Sequence, residues 1–559
     1  MKSRNNRRCL KETLCPVVIL FSVFLIFNLV EVPNIRGLPP SNNGFKASNV
    51  TRFAGLELAL DQLHVSQENS SFESLRAEEN SETIYRNSYS EPPFALSPAS
   101  AQLNFSDFNT SSQEGISLAS VVEEEEENAR LFILPTTVME FDNMTISGMN
   151  KLLDHSIFFP KSIHRQWPSA VDKRLLEAKS VIYSGGDSRN EHELYPPIYR
   201  NMSMFTRLLT ISFVDHSLKR ENFRSYDLME KMLKVYIYKE GERPIFHQPV
   251  IQGIYSSEGW FMKLLMSSKK YVTRNPKEAH LFYLPFSSKN LQEKLYVPES
   301  HTLDNLVEHL STYLTKISSK YPFWNRTNGA DHFLVACHDW APRETKQQMS
   351  NCIRALCNSD INEGYVFGND VSLPETLVRW PKHLQRGIGG KPPAERSILA
   401  FFAGNMHGYL RPILVQHWGG RKDPDMRIYG RMPKTRRTMN YAQHMKSSRY
   451  CICARGYEVN SPRIVEAIYY ECVPVIISDN FVPPLFSVLN WEAFAVFVLE
   501  KDIPNLKQIL LSITEERYLE LQMGVKRVQH HFVWHSNPVK YDLFHMTLHS
   551  IWFNTLLRA

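Results

Sequence analysis

The segment Arg449 to Pro484, RYCICARGYEVNSPRIVEAIYYECVPVIISDNFVPP, limits the possible folds more than any other stretch of the chain. An apolar strand-like run, a short loop, a helix start and a second apolar run follow one another with almost no connecting chain. Two strands joined through a helix lie parallel in one sheet, so the segment predicts a compact βαβ unit. Ser461 followed by Pro462 reads as an N-cap and first-turn pair, which starts the helix there and carries it to about Tyr470. Ile464, Val465 and Ile468 then take the buried side.

The same texture extends backward to about Tyr195. Strand-like runs stand at Leu233 to Tyr238, Ala279 to Phe286, Asp331 to Cys337, Ser397 to Gly404, Tyr450 to Ala454, Cys472 to Ser478 and Phe494 to Leu499. Their near-continuous apolarity predicts strands buried on both faces. Between the second and third runs, Leu303, Leu306, Leu310, Leu314 and Ile317 recur at helical spacing and stop before Pro322. Strand and helix alternate, which predicts an α/β fold with mainly parallel sheets. Val378 to Glu395 has Gly and Pro clusters and no period, so a boundary between two doubly wound, Rossmann-like lobes is expected there. The N-terminal lobe is placed at 188–385 and the C-terminal lobe at 386–559, facing one another across a cleft. At 43% hydrophobic and 12% aromatic residues, the chain is neither wholly disordered nor collagen-like. Its net charge of +6 is too small over 559 residues for a nucleic-acid footprint, yet tolerates an anionic small molecule.

Leu14 to Val30 carries no charge, and at 1.5 Å per residue it spans ~26 Å, close to the ~27 Å core of a thin bilayer. Lys2, Arg4, Arg7, Arg8 and Lys11 precede it and only Arg36 follows nearby, so a type II signal anchor is expected: a cytosolic tail at 1–13, a transmembrane helix at 14–32 and the bulk in a lumen. Residues 33–187, rich in Ser, Asn and Glu with an acidic run from Glu123 to Glu127, read as a largely disordered stem. Asn-x-Ser/Thr sequons at Asn49, Asn69, Asn104, Asn109, Asn143, Asn201 and Asn325 all follow the anchor, as a glycoprotein requires. Six cysteines, Cys337, Cys352, Cys357, Cys451, Cys453 and Cys472, fall in the oxidising compartment, and their spacing does not select a pairing. Cys451 and Cys453 read as apolar strand residues on one face.

Chemistry concentrates at the βαβ unit. Gly456 supplies a turn that brings backbone close to a ligand, and the start of the helix presents free N–H groups at a strand's carboxyl end, a combination that fits a diphosphate. Arg463 and Glu466 share one side of the helix. Arg463 suits phosphate oxygens and Glu466 can accept two hydrogen bonds from ribose hydroxyls; the competing reading is a surface ion pair three residues apart.

Ser-Pro-Arg-x-x-Glu-Ala from Ser461, followed by Cys-Val-Pro-Val-Ile-Ile-Ser-Asp from Cys472, resembles the nucleotide-sugar site of exostosin-like glycosyltransferases, glycosyltransferase family 47, and most nearly the plant cell-wall branch. The resemblance runs from about Tyr195 through YPPIYRNMSMF, LKVYIYKEGERPIFH, YSSEGWFM, AHLFYLPFS, YPFWNRTNGADHFLVACHDWAP, FFAGNMHGYLRP and SDNFVPPLFSVLNWEAFAV. It implies a GT-B-like fold with the acceptor in the N-terminal lobe and a UDP-sugar in the C-terminal lobe. It also implies anomeric inversion without an essential metal or other cofactor. A membrane-anchored enzyme of the Golgi lumen, extending a cell-wall polysaccharide or glycan, is the activity implied. A homo-oligomer, or a hetero-oligomer with other glycosyltransferases, is compatible with the sequence, which does not select an oligomeric state. The alternative is a noncatalytic exostosin-like subunit or glycan-binding partner.

Single displacement requires a base for the acceptor hydroxyl and positive charge for the departing UDP. Asp339 is the candidate base, with His338 as alternative; either could instead anchor its loop. Gly404 and Arg411 could complete the phosphate cradle, although a Gly turn beside a surface Arg would look the same. Asp423-Pro424-Asp425 matches the D-x-D with which other glycosyltransferases hold a divalent ion, but it stands in a polar loop. His531 and His535 lack a completing ligand and read as packing residues. Two departures from the family pattern stand out. Glu471 takes the place of a small residue before Cys472, where a carboxylate could repel the donor, and an extra stretch runs from Leu208 to Arg224.

Overall fold

The apolar runs build two sheets of parallel strands in a computed structural model that describes residues 144–184, 198–200, 225–420, 422–432 and 439–559. All lie in one compact unit, Ser117–Ala559. The first sheet comprises β1 (Val235–Ile237), β2 (Val272–Thr273), β3 (Leu281–Tyr283), β4 (His332–Ala336), β5 (Ile353–Leu356) and β6 (Val371–Ser372), in the order β2-β1-β3-β4-β5-β6. The second comprises β7 (Ile398–Ala403), β8 (Met426–Tyr429), β9 (Ser448–Ala454), β10 (Val473–Ile477) and β11 (Val496–Phe497), in the order β11-β10-β9-β7-β8. Eight of the helices cover these sheets or carry site residues: α1 (Ile146–Phe158), α2 (Ala170–Ser184), α3 (Ser256–Ser267), α4 (Asp304–Lys320), α5 (Leu410–Trp418), α6 (Tyr441–Ser447), α7 (Arg463–Tyr469) and α8 (Leu543–Leu557).

Strand period fixes which residues meet which helix. Val235, Leu281, Tyr283, Phe333, Val335, Ile353 and Ala355 share a core with Trp260, Phe261 and Leu265 of α3 and with α8, where Phe544 lies 5.6 Å from Phe261 between ring centres. The intervening residues Tyr236, Phe282, Leu334, Ala336 and Leu356 point the other way, onto Leu306, Leu310, Tyr313, Leu314 and Ile317 of α4. Both faces are covered, which is why the strands show no regular polar alternation and why the polar residues they hold, such as His332 and Arg354, are buried.

Each sheet reverses its direction of growth once, between β1 and β3 in the first and between β7 and β9 in the second. Neighbouring strands there send their following loops to opposite faces, leaving a crevice at their carboxyl ends. The carboxyl ends of the two sheets meet. Asn460, after β9, donates through Nδ2 to Cys357 O (2.6 Å), just past β5, while Val482 N donates to Ser359 O (2.9 Å) and Ile361 N to Asn480 O (3.1 Å).

Four expectations need correction. The stem placed at 33–187 is helical and packed at its end: Met149 and Leu153 of α1 and Val171, Leu175 and Ala178 of α2 are buried in the main core. The C-terminal lobe does not keep all of 386–559, because α8 is buried along its length and crosses back onto α2, α3, β5 and β6. Its Asn554 Nδ2 donates to Asn369 O (3.0 Å) and Asp370 O (3.1 Å) beside β6. Cys451 is not merely an apolar strand residue: it is disulfide-bonded to Cys472, and Cys337 to Cys357, leaving Cys352 and Cys453 as buried thiols. The helix expected from Ser461–Pro462 has Pro462 itself as N-cap and begins at Arg463.

The expected tail and anchor at 1–32, the sequons at Asn49, Asn69, Asn104, Asn109, Asn143 and Asn201, and the Leu208 to Arg224 stretch lie outside the described residues. Among the described residues no helix is long and apolar enough to cross a membrane. Asn325 is exposed in the short helix Pro322–Thr327.

Candidate active site

Two arginines cross at the point where the second sheet reverses. Arg463, on the helix that follows β9, donates from Nε (3.0 Å) and Nη2 (2.8 Å) to the carbonyl of Ala403, the last residue of β7, and from Nη1 to Ser461 Oγ (3.2 Å). Arg411, on the helix that follows β7, reaches the other way, donating from Nη2 to the carbonyl of Ala454, the last residue of β9 (3.5 Å), and from Nη1 to Asn405 O (3.3 Å). Each guanidinium thus closes the end of the neighbouring strand and retains N–H groups for a ligand, since Arg carries five. Arg411 is 6% exposed and its Nε has no hydrogen-bond partner among the described residues. Burial first, and then the charge of Arg463, lower its pKa to about 10.

The glycines make room for this crossing. A Cβ on Gly404 would collide with the Arg463 guanidinium, and one on Gly456 would stand 2.8 Å from Arg411 Nη2. Gly456 is therefore needed for the space it leaves to Arg411, which differs from the expected role in a turn. Glu466 Oε2 accepts from the hydroxyl of Tyr441 (2.6 Å), at the start of α6, which leaves Oε1 for a ligand. Arg463 and Glu466 form no ion pair with each other among the described residues, so the surface-pair reading is not realised.

The first sheet contributes the opposite wall. His338 and Asp339 follow β4. His338 is buried, its ring 4.9 Å from that of Tyr255, and Nδ1 accepts from Trp340 N (3.3 Å). Burial, with Lys289 adding to it, holds its pKa down to about 3, which keeps the imidazole neutral. Asp339 is half-buried and Oδ1 accepts from Asn358 Nδ2 (3.1 Å). Asn358 Oδ1 in turn accepts from Asn460 N (3.2 Å), and Asn460 Oδ1 from Ser461 N (2.7 Å), so a chain of three hydrogen bonds joins Asp339 to the segment that enters α7. The Cys337–Cys357 disulfide ties the two strand ends carrying Asp339 and Asn358. Below them, Glu258 accepts from Cys337 N (2.8 Å) and Ser287 Oγ (2.5 Å), and burial pushes its pKa up to about 7.

A carboxylate that sequence reading passed over lies between the two walls. Glu375, three residues past β6, is 5% exposed and stands under the charges of Asp339, Arg411, Arg463 and Glu466, all of them candidate site residues. Burial, and then Asp339, raise its pKa well above the usual carboxylate range. Its only signal in the sequence is an acidic residue after Val371-Ser372-Leu373-Pro374. Tyr441 had no local signal at all.

Other candidates stand apart. Glu471 sits beyond the far end of α7, ion-paired with Lys526 (3.4 Å), so the expected repulsion of a donor does not arise from it. Asp423 and Asp425 both pair with Lys507 (2.6 and 2.8 Å). His531 is a packing residue as expected, buried between Tyr199 OH (2.7 Å) and Tyr541 O (2.8 Å), and His535 faces Asp542 (3.3 Å). Among the described residues no cluster of three His, Cys, Asp or Glu could hold a metal ion.

The Exostosin GT47 domain matches residues 229–513, a span that takes in both sheets and every candidate site residue. The "Probable glycosyltransferase At5g03795" of Arabidopsis thaliana is 45% identical over 336 residues, 60% of this chain and 64% of that protein. The "Probable glycosyltransferase At5g25310" of the same plant is 43% identical over 427 residues, 74% of this chain and 83% of that protein. The "Probable glucuronosyltransferase GUT1" of Oryza sativa subsp. japonica is 31% identical over 317 residues, 52% of this chain and 73% of that protein. The chain belongs to the exostosin GT47 family of glycosyltransferases.

Proposed function

We propose that the chain is an inverting, GT-B-type glycosyltransferase that moves a hexosyl or pentosyl group from a UDP-sugar onto a cell-wall polysaccharide or glycan, as a type II membrane protein of the Golgi lumen. The observation that carries the chemistry is the pair of crossed guanidiniums at the reversal point of the second sheet. Two positive charges side by side, both with unspent N–H groups, suit a diphosphate whose charge grows as the glycosidic bond breaks. Glu466 Oε1 is free to accept from a ribose hydroxyl while Tyr441 holds Oε2.

Asp339 is the base in this reading. It receives the proton of the acceptor hydroxyl; that oxygen bonds to the anomeric carbon from the face opposite the diphosphate; the anomeric C–O bond breaks and its electron pair leaves with UDP. His338 is the weaker base, since burial keeps its pKa near 3. The arginines take the compensating role that a divalent ion has elsewhere, a view supported by the pairing of both D-x-D carboxylates with Lys507. The noncatalytic alternative loses one of its motives, because Glu471 lies at the far end of α7.

UDP release by the purified protein with a panel of UDP-sugars tests the proposal. Arg463→Ala is expected to lower turnover on the order of 10²-fold, the scale of losing one charge-stabilising donor. Asp339→Asn is expected to abolish transfer and leave UDP binding intact. Unchanged turnover in the first variant, or loss of UDP binding in the second, contradicts the assigned roles.

A further inference from the structure

Aromatic rings follow one another in a row beside the candidate base. Asp339 is flanked in sequence by His338 and Trp340, whose rings lie 5.2 Å apart between centres. Tyr296, which ends the helix Ser288–Leu295 after β3, has its ring 4.5 Å from that of Trp340, and Tyr255, just before α3, lies 4.9 Å from His338. The rings thus touch in the order Tyr255, His338, Trp340, Tyr296. His338 is buried, whereas the other three are half-buried. Tyr255 packs against the main core, and Trp340 and Tyr296 against the core under α4, so each keeps part of its ring open. Lys289 Nζ stands 5.7 Å over Tyr255, so an uncharged aromatic surface is offered by Trp340 and Tyr296 rather than by Tyr255. The backbone beneath that pair is fixed. Trp340 N donates to His338 Nδ1 (3.3 Å) and Ala341 N to His338 O (3.0 Å), which closes a tight turn around Asp339. Tyr296 N donates to Gln292 O (3.1 Å), and Asn305 Nδ2 holds the carbonyl of Leu295.

The inference rests on the reaction proposed above, in which an acceptor hydroxyl meets Asp339. We propose that Trp340 and Tyr296 are two consecutive subsites for the acceptor, an oligosaccharide whose rings stack on these side chains while its terminal residue offers a hydroxyl to Asp339. A pyranose has an apolar face of C–H groups and a polar edge of hydroxyls, so it lies flat on a half-buried aromatic ring and keeps its edge in water. Trp340 follows Asp339 directly, and a sugar on the indole is therefore the neighbour of the sugar at the base. Tyr296 is one ring farther along the row and takes the next. The acceptor is read over three residues, and a free monosaccharide lacks both stacking contacts. Because the turn at His338 and the cap at Tyr296 are already fixed, binding the chain costs little ordering of the protein.

Isothermal titration of the full chain, with UDP present, against β-1,4-linked oligosaccharides of glucose, xylose, mannose and galactose tests this without a donor sugar. Each series runs from the monosaccharide to the hexasaccharide. At least one series is expected to bind, with affinity rising about 10-fold at the second residue and again at the third, then levelling off. Trp340→Ala is expected to weaken every member from the disaccharide upward about 10-fold, and Tyr296→Ala only those from the trisaccharide upward. Both variants are expected to bind UDP as before, and Trp340→Phe and Tyr296→Phe, which keep a flat ring, to retain the length dependence. Affinity that does not change with length overturns the proposal, as does a Trp340→Ala protein that melts normally and binds the chain as before. Should Trp340→Ala fail to fold, Tyr296→Ala decides: no loss at any length, or the same loss for the monosaccharide as for the hexasaccharide, overturns it. Failure of every series to bind while UDP binds overturns it too. Failure of UDP itself to bind defeats the underlying reading and this one together.

Discussion

Tyr441 illustrates what a single side chain contributes that its neighbours in sequence do not announce. Its hydroxyl holds Glu466 Oε2 at 2.6 Å and so leaves Oε1 for the ribose of the donor proposed above. Asn440 caps α6 through Gln443 N (2.9 Å) and fixes where Tyr441 begins the helix. Tyr441→Phe removes one hydrogen bond to a charged group and is expected to raise the donor KM about 10-fold with kcat nearly unchanged. An unaltered KM, measured by UDP release, would remove Tyr441 from the site. Arg463, Glu466 and Ser461 were legible as neighbours because they fall at the start of one helix, where spacing determines proximity. Tyr441, Glu375 and Asn358 reach the same site from 22, 86 and 103 residues before Arg463 or Ser461, and nothing local in the chain ties them to it.

Among the elements, β1, β3, β4, β7, β9, β10 and β11 fall within apolar runs readable in the sequence, and β2, β5, β6 and β8 do not. β4, β7, β9 and β10 carry four or more consecutive apolar residues, whereas β2 and β6 are two residues long and β5 contains Arg354. That arginine is buried only because Asp370, beside β6, takes it at 2.5 Å, a pairing that a pattern of apolarity does not reveal. The loop after β4 is likewise held by polar groups from other elements. Glu258, at the start of α3, accepts from Cys337 N, and Glu344 accepts from Ser288 Oγ (2.6 Å). Burial pushes the first up to about 7 and, with Glu258 adding to the shift, the second up to about 8. Both folded values lie above the ordinary one near 4.5, so between those limits the native state binds more protons than the unfolded chain. Their contribution to stability is complete below about pH 4.5 and is lost as pH rises through 7 and 8. The melting temperature is therefore expected to fall over that interval, and less steeply in a Glu258→Gln, Glu344→Gln protein. Parallel profiles for the two would show that neither carboxyl is protonated in the fold.

For the molecule as a whole, the largest departure from the sequence reading is that residues 144–184 belong to the body. Their apolar stripe is narrow, Met149 and Leu153 on α1 and Val171, Leu175 and Ala178 on α2, set among Lys, Asp, Glu and Arg. A stripe that narrow gives no sustained period, and what it packs against comes from the other end of the chain. Lys179 Nζ donates to the carbonyls of Leu557 (3.0 Å) and Ala559 (2.9 Å), and Ile163 N to Arg558 O (2.8 Å). Asp172 pairs with Arg326 (2.8 Å), which also holds Asp331 (2.6 Å) at the entry to β4. The segment thus clasps α8 and, through Arg326, the strand that leads to Asp339. A chain beginning at Ser188 would expose the face that five buried side chains now cover and leave Arg326 with one carboxylate where it has two. The apolar face left uncovered on α8 and its neighbours, and the carboxylate lost to Arg326, both lower the stability of the shorter chain. Relative to a chain beginning at Glu140, the shorter protein is expected to melt about 10 °C lower or to fail to fold. Equal melting temperatures for the two would return residues 144–184 to the role of spacer.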